Sequence, residues 1–176
     1  GNGFVFVRVR KMLEIGAMVV YGKTGVCTVE GQCEKELVRN QKRLYYILKP
    51  FGSPNSTIFV PAEDNKVFVR PIMSKKEADS LIEKIPEIIE SSANIELSKE
   101  QYDLMIATHN CEDLVGLASR LYQKKKLALE NRKKPGYVDE RYMALAEKLL
   151  LEELACALNM TCDQVKEYIG KKLNIM

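Results

Sequence analysis

An α+β chain, with a small N-terminal antiparallel β-barrel followed by an all-α C-terminal domain of four to five helices, is the fold class this sequence predicts. Three observations carry it. Short runs of Val, Ile, Thr and Tyr between Leu13 and Arg70 are punctuated by Gly16, Gly22, Gly25, Gly31, Pro50, Gly52 and Pro54. That pattern sets branched and aromatic side chains on a pleat and glycine where the chain turns hard. Past Arg70, apolar residues recur at helical spacing instead, and three hydroxyl residues are each followed three positions later by Glu or Gln, the signature of a helix start.

The strands read in order as Leu13-Glu-Ile-Gly16-Ala-Met-Val-Val-Tyr21, Gly25-Val-Cys-Thr-Val-Glu30, Leu44-Tyr-Tyr-Ile-Leu48 and Thr57-Ile-Phe-Val-Pro-Ala-Glu63, a module of SH3 or Tudor size. Residues 1–11 are set apart. Phe4-Val-Phe-Val-Arg-Val-Arg10 alternates apolar with basic residues, unlike a signal-peptide core, and Met12 directly precedes the first strand. The segment reads as an expression remnant, an upstream start or a native basic strand. The domain boundaries that follow are 1–11 for this extension, 12–73 for the barrel and 74–176 for the helices.

In the second half, Ser74-Lys-Lys-Glu77, Ser98-Lys-Glu-Gln101 and Thr161-Cys-Asp-Gln164 match capping boxes. Leu114, Leu117, Ala118, Leu121 and Tyr122 form one apolar helical stripe, and Tyr142, Leu145, Ala146, Leu149 and Leu150 form another. Arg132-Lys-Lys-Pro-Gly-Tyr137 separates these helices. Pro86 is expected to end or kink the first helix, with Ser91-Ser-Ala-Asn94 as the loop after it.

Composition narrows the function classes. At 176 residues and 46% hydrophobic content the chain can bury one sizeable core or two small ones. Its apolar runs are too short for a membrane span, so a cytoplasmic protein is expected. Cys27, Cys33, Cys111, Cys156 and Cys162 are scattered without Cys-x-x-Cys spacing, which argues against a disulfide framework and a structural zinc site and predicts indifference to chelators. His109, the single histidine, stands in Thr108-His-Asn110 between helices, with no second histidine to share a metal. Neither a phosphate-cradling Gly-rich loop nor a Gly-x-Ser-x-Gly elbow is present. No catalytic residue, metal, cofactor or small-molecule substrate is therefore assigned, and the expectation is a protein that is not an enzyme.

The order of the strand signals is more specific than their composition. An Ile15-Gly-x-x-Val-Val-Tyr21 opening, a Gly25-Val hairpin exit, Tyr45-Tyr-Ile-Leu48, Val60-Pro-Ala-Glu63 and Val69-Arg-Pro-Ile72 leading into a helix resemble the polymerase-interacting module of CarD/CdnL-family bacterial transcription regulators. Transcription-repair coupling factor carries the same module. The helical half extends the resemblance through Tyr102, Arg120-Leu and Ala146-x-x-Leu149-Leu-x-x-Glu153-Leu-Ala. The resemblance implies a barrel that binds the RNA polymerase β subunit and a helical domain that contacts upstream promoter DNA and stabilises the open complex.

On that resemblance, Lys35 and Phe59 occupy polymerase-contact positions, although a strand residue such as Phe59 equally fits core packing. Family relatives wedge a tryptophan into the minor groove, and this chain has no tryptophan. DNA contact then rests on the phosphates. Residues 74–176 hold sixteen Lys and Arg against eighteen Asp and Glu, so only a local face is positive. Arg120, Lys124, Lys125, Lys126, Arg132, Lys133 and Lys134 supply it; a solvated helix end is the plainer account of the same residues. Of the Tyr residues nearby, Tyr122 is expected in the core and Tyr137 is the freer. Leu154 to Thr161, with Val165 and Ile169, mimics a helix-turn-helix, but Asp163 and Glu167 suit core packing better than groove reading. The alternative function is a Tudor-like adaptor whose helices bind a protein and never touch DNA.

Overall fold

The computed structural model describes residues 13–63 and 65–175. The extension at residues 1–11, read above as a remnant, an upstream start or a basic strand, lies outside the described residues. The chain divides into two compact units, changing from one to the other between Ile72 and Met73.

The first unit is one antiparallel sheet of β1 (Met18–Tyr21), β2 (Gly25–Val38), β3 (Gln41–Pro50), β4 (Ile58–Pro61) and β5 (Val69–Pro71), in the order β4-β3-β2-β1-β5. Strand alternation explains its core. Tyr46 and Leu48 of β3, Cys27 and Val29 of β2, Val19 of β1 and Val60 of β4 point to one face and are buried with Leu13 and Ala62. A tight turn at Gly22–Thr24 joins β1 to β2. Gly22 is required there: its φ is 45°, and a Cβ would stand 2.7 Å from a Val67 methyl carbon. The β2–β3 register slips between Val29 and Gly31, leaving Glu30 as a bulge residue, and slips again between Lys35 and Val38. Among the described residues β4 and β5 are the two edges, so the sheet is open where the sequence led to the expectation of a closed barrel. Both are short, at four and three residues, and each pairs on its inner side.

The second unit holds five helices among the described residues: α1 (Lys75–Ser92), α2 (Lys99–Thr108), α3 (Cys111–Glu130), α4 (Tyr137–Leu158) and α5 (Cys162–Lys172). All three capping boxes form. The Glu77, Gln101 and Gln164 amides donate to the hydroxyls of Ser74, Ser98 and Thr161 at 3.1, 3.2 and 3.1 Å, and each third residue reaches back to the cap amide. α3 and α4 each serve two cores. Val115, Leu150, Leu154 and Leu158 pack with Ala78 and Ile82 of α1 and Val165 of α5. Leu114, Leu117, Leu121, Tyr142, Ala146 and Leu149 pack with Tyr102 and Ile106 of α2. The helix-turn-helix look of Leu154 to Val165 is thereby explained by packing.

Two expectations change. Of the two outcomes expected at Pro86, an end is excluded, because α1 runs through the proline to Ser92, so the loop begins later than Ser91. Burial of Leu81 and Ile82 before Pro86, with Ile85 and Ile88 packed on the same cluster around it, outweighs the roughly 3 kcal/mol a helical proline costs. Tyr122, expected in the core, is 59% exposed.

Candidate functional site

The sheet brings Lys35 and Phe59 together. On β3, Ile47 lies on the face opposite Tyr46 and Leu48, and its cross-strand partners are Gly31 on β2 and Phe59 on β4. Lys35, four residues along β2 from Gly31, shares that outer face. Its Nζ stands 3.6 Å from the centroid of the Phe59 ring. Phe59 is thus half-buried outside the sheet core, and its cover is a cation over an aromatic face, a contact of about 0.5–1 kcal/mol at such a site. Exposed Leu37 and Val38 continue β2 toward the hairpin tip, where Asn40 takes the left-handed conformation. The outer edge of β4 adjoins Phe59 and, among the described residues, leaves main-chain groups for a further strand.

The seven basic residues of the helical unit do not act alike. The Arg120 Nε donates to the Ile95 carbonyl. Lys124 pairs with Asp139 at 2.8 Å and Lys125 with Glu140 at 3.4 Å, tying the last half of α3 to the first turn of α4. The hydrogen bond to Asp139 is the main reason the Lys124 ammonium is held above its ordinary pKa. Lys126, Arg132, Lys133 and Lys134 are exposed and make no ion pair among the described residues. The α3–α4 turn sets the last three. Arg132 is left-handed, at φ 55°, and the Lys133 amide donates to the Ala128 carbonyl at 2.8 Å, closing the helix end. A cavity of about 270 Å³ lies beside this turn, lined by Lys124, Lys125, Lys133, Lys134, Asp139 and Glu140 among others. Its mixed charge suits a solvated cleft. Tyr137, at the start of α4, is 76% exposed.

A third cluster escaped the sequence reading. His109, which follows α2 in a left-handed conformation, and Glu153 of α4 are both wholly buried. The His109 Nδ1 is 3.5 Å from Glu153 Oε1, and the Cys111 thiol donates to the same oxygen at 3.2 Å. The Met73 amide donates to Glu153 Oε2 at 2.8 Å. One carboxylate therefore fastens the chain before α1, the α2–α3 junction and α4. His109 and Cys111 stand two apart in sequence, but Glu153 lies 42 residues beyond Cys111, so no spacing rule joins them.

Among the described residues, the remaining thiols join no comparable cluster. Burial first, then the nearby Glu152 carboxylate, pushes the Cys156 thiol up to about 11, which keeps it protonated and unreactive. No helix among the described residues is long and apolar enough to cross a membrane.

Residues 13–73, which take in all five strands, match the family model of the CarD-like/TRCF RID domain. No curated protein matches the chain.

Proposed function

With a CarD-like/TRCF RID domain at residues 13–73 as the premise, we propose that this chain is a non-enzymatic bacterial transcription regulator acting in the cytoplasm. Its sheet unit docks on RNA polymerase, and the subunit it contacts is β. Lys35, Phe59 and the free edge of β4 form the docking surface. The helical unit meets upstream promoter DNA through phosphates and modulates open-complex stability. The single observation carrying this reading is the domain match, supported by Lys35 and Phe59 joining on one sheet face outside the sheet core.

DNA contact rests on fewer residues than the sequence suggested. Arg120, Lys124 and Lys125 are engaged within the fold, which leaves Lys126, Arg132, Lys133 and Lys134 to face phosphates. Such binding is weak, nearly sequence-independent and strongly reduced by salt. That same engagement favours the second reading, a protein-protein adaptor whose helices never touch DNA.

A pull-down of purified bacterial RNA polymerase by the full chain tests the first half. Wild type is expected to retain polymerase, and K35E/F59A to lose at least tenfold, roughly the 1.4 kcal/mol that a tenfold change represents. Retention of the β subunit alone identifies the contact. For DNA, K126E/K133E/K134E is expected to weaken the polymerase–promoter–protein complex while leaving polymerase binding intact. Equal promoter-complex affinity for wild type and this variant, at both low and moderate salt, selects the adaptor.

A further inference from the structure

We propose that His109, Cys111 and Glu153 form a binding site for a divalent transition metal of the zinc class. The donors are an imidazole nitrogen, a thiol sulfur and a carboxylate oxygen, the borderline-soft set that zinc takes. All three ligand atoms lie within 4.8 Å of one another. Two of the separations are already those of a bound metal's coordination shell. Metal–ligand bonds of about 2.0–2.3 Å at tetrahedral angles place ligand atoms roughly 3.2–3.8 Å apart; Glu153 Oε1 stands 3.5 Å from His109 Nδ1 and 3.2 Å from Cys111 Sγ.

Charge balance points the same way. A thiolate and a carboxylate neutralise a divalent cation, with the imidazole neutral, so metal loading leaves no net charge in a place where His109 and Glu153 are shut off from water. Loading exchanges the Cys111 proton, now shared with Glu153, for the metal and releases it to solvent. The Met73 amide holds Glu153 Oε2 and so turns Oε1 toward the other two donors, the part an outer-shell hydrogen bond plays in metal sites. Cys111 is only half-buried, which supplies a way in for the ion and a side on which water completes the fourth position. The ligands come from the α2–α3 junction and α4, so the ion would cross-link the helical unit at its centre.

The experiment uses the full chain, stripped with a chelator and titrated with Zn2+. Elemental analysis after gel filtration is expected to give one equivalent per chain, with a higher melting temperature than the stripped protein. Alkylation mapped by mass spectrometry needs no variant: Zn2+ should slow modification of Cys111 by about tenfold or more, by analogy with the 10–100-fold effects of disturbing metal surroundings, and leave Cys33 unchanged. Co2+ in place of Zn2+ should show thiolate-to-cobalt charge transfer that C111S abolishes. C111S, checked for native helix content by circular dichroism, should bind Zn2+ more than about 100-fold more weakly, whereas C33S should bind as wild type. Chelator indifference, the expectation from cysteine spacing, overturns the proposal if it is accompanied by no retained zinc. Equal Cys111 alkylation with and without Zn2+, or wild-type affinity in folded C111S, overturns it as well.

Discussion

Arg132 holds a position that glycine fills in most helix ends. Its φ of 55° makes it the left-handed residue after α3, with its own amide donating to the Leu129 carbonyl and that of Lys133 to Ala128. A side chain in that region costs about 1 kcal/mol against glycine, partly offset by the greater freedom glycine has when unfolded. R132G is therefore expected to leave stability unchanged or raise it by up to about 1 kcal/mol in urea unfolding, while weakening the promoter complex. A clear loss of stability would mean that the guanidinium has a structural partner. Asp79 gives a pH-dependent contact of the opposite kind. Tyr168 OH donates to it at 2.6 Å and Lys172 Nζ stands at 3.1 Å. These hold the carboxyl below its ordinary range, Tyr168 most of all. A carboxyl depressed in the fold contributes stability that is fully present above its unfolded pKa, about 3.9, and is lost as pH falls through the lower folded value. D79N should accordingly lower the urea midpoint at neutral pH, and the gap from wild type should close as pH falls below the ordinary carboxylate range. A constant gap across that range would show that the asparagine acts through packing.

At the scale of elements, α2 depends most on its cap. It has ten residues and sends only Tyr102 and Ile106 fully into the core, so S98A, which strands the Gln101 amide, should cost about 1 kcal/mol and speed amide exchange selectively over residues 102–108. Uniform loss of protection across all helices would refute that local assignment. The caps were legible in the sequence because a capping box is complete within four residues, and Ser74, Ser98 and Thr161 each carry both halves. Strand identities were legible for the same local reason. Tyr122 was misplaced because it stands about 80° round the helix from Leu114, at 100° per residue, on the margin of a stripe centred on Leu114, Leu117 and Leu121. The open sheet was not legible, since edge pairing depends on how β4 and β5 lie after folding and no local run of residues encodes it. His109, Cys111 and Glu153 were hidden by distance along the chain; only the packing of α4 against the α2–α3 junction unites them. Lys35 and Phe59 were named one by one from the resemblance, and the strand register then joined them.

At the scale of the whole molecule, charge bears on the proposed contact with DNA. The chain has a formal charge of +3, yet residues 74–176 contain more acidic than basic residues, so a long-range positive field over the helical unit is absent from the sequence. The proposed phosphate binding would therefore be local, and the fold limits it. With Arg120 bonded to the Ile95 carbonyl, Lys124 to Asp139 and Lys125 to Glu140, Lys126, Arg132, Lys133 and Lys134 are left for the proposed phosphate contacts. Each phosphate neutralised on duplex DNA adds about 0.9 to the slope of log affinity against log salt, so the protein's contribution to promoter-complex formation should have a slope no steeper than roughly −3.6. Replacing Lys126, Lys133 and Lys134 with glutamine should reduce it by about 2.7, with little change among promoter sequences. The measurement compares promoter-complex affinity with polymerase alone, polymerase plus wild type and polymerase plus the triple variant across a salt series. K124Q/K125Q serves as the contrast, because those lysines face α4; it should lower the melting temperature and leave the slope alone. If the triple variant keeps the wild-type slope, the exposed cations never reach a phosphate, and the helical unit recognises a protein surface instead.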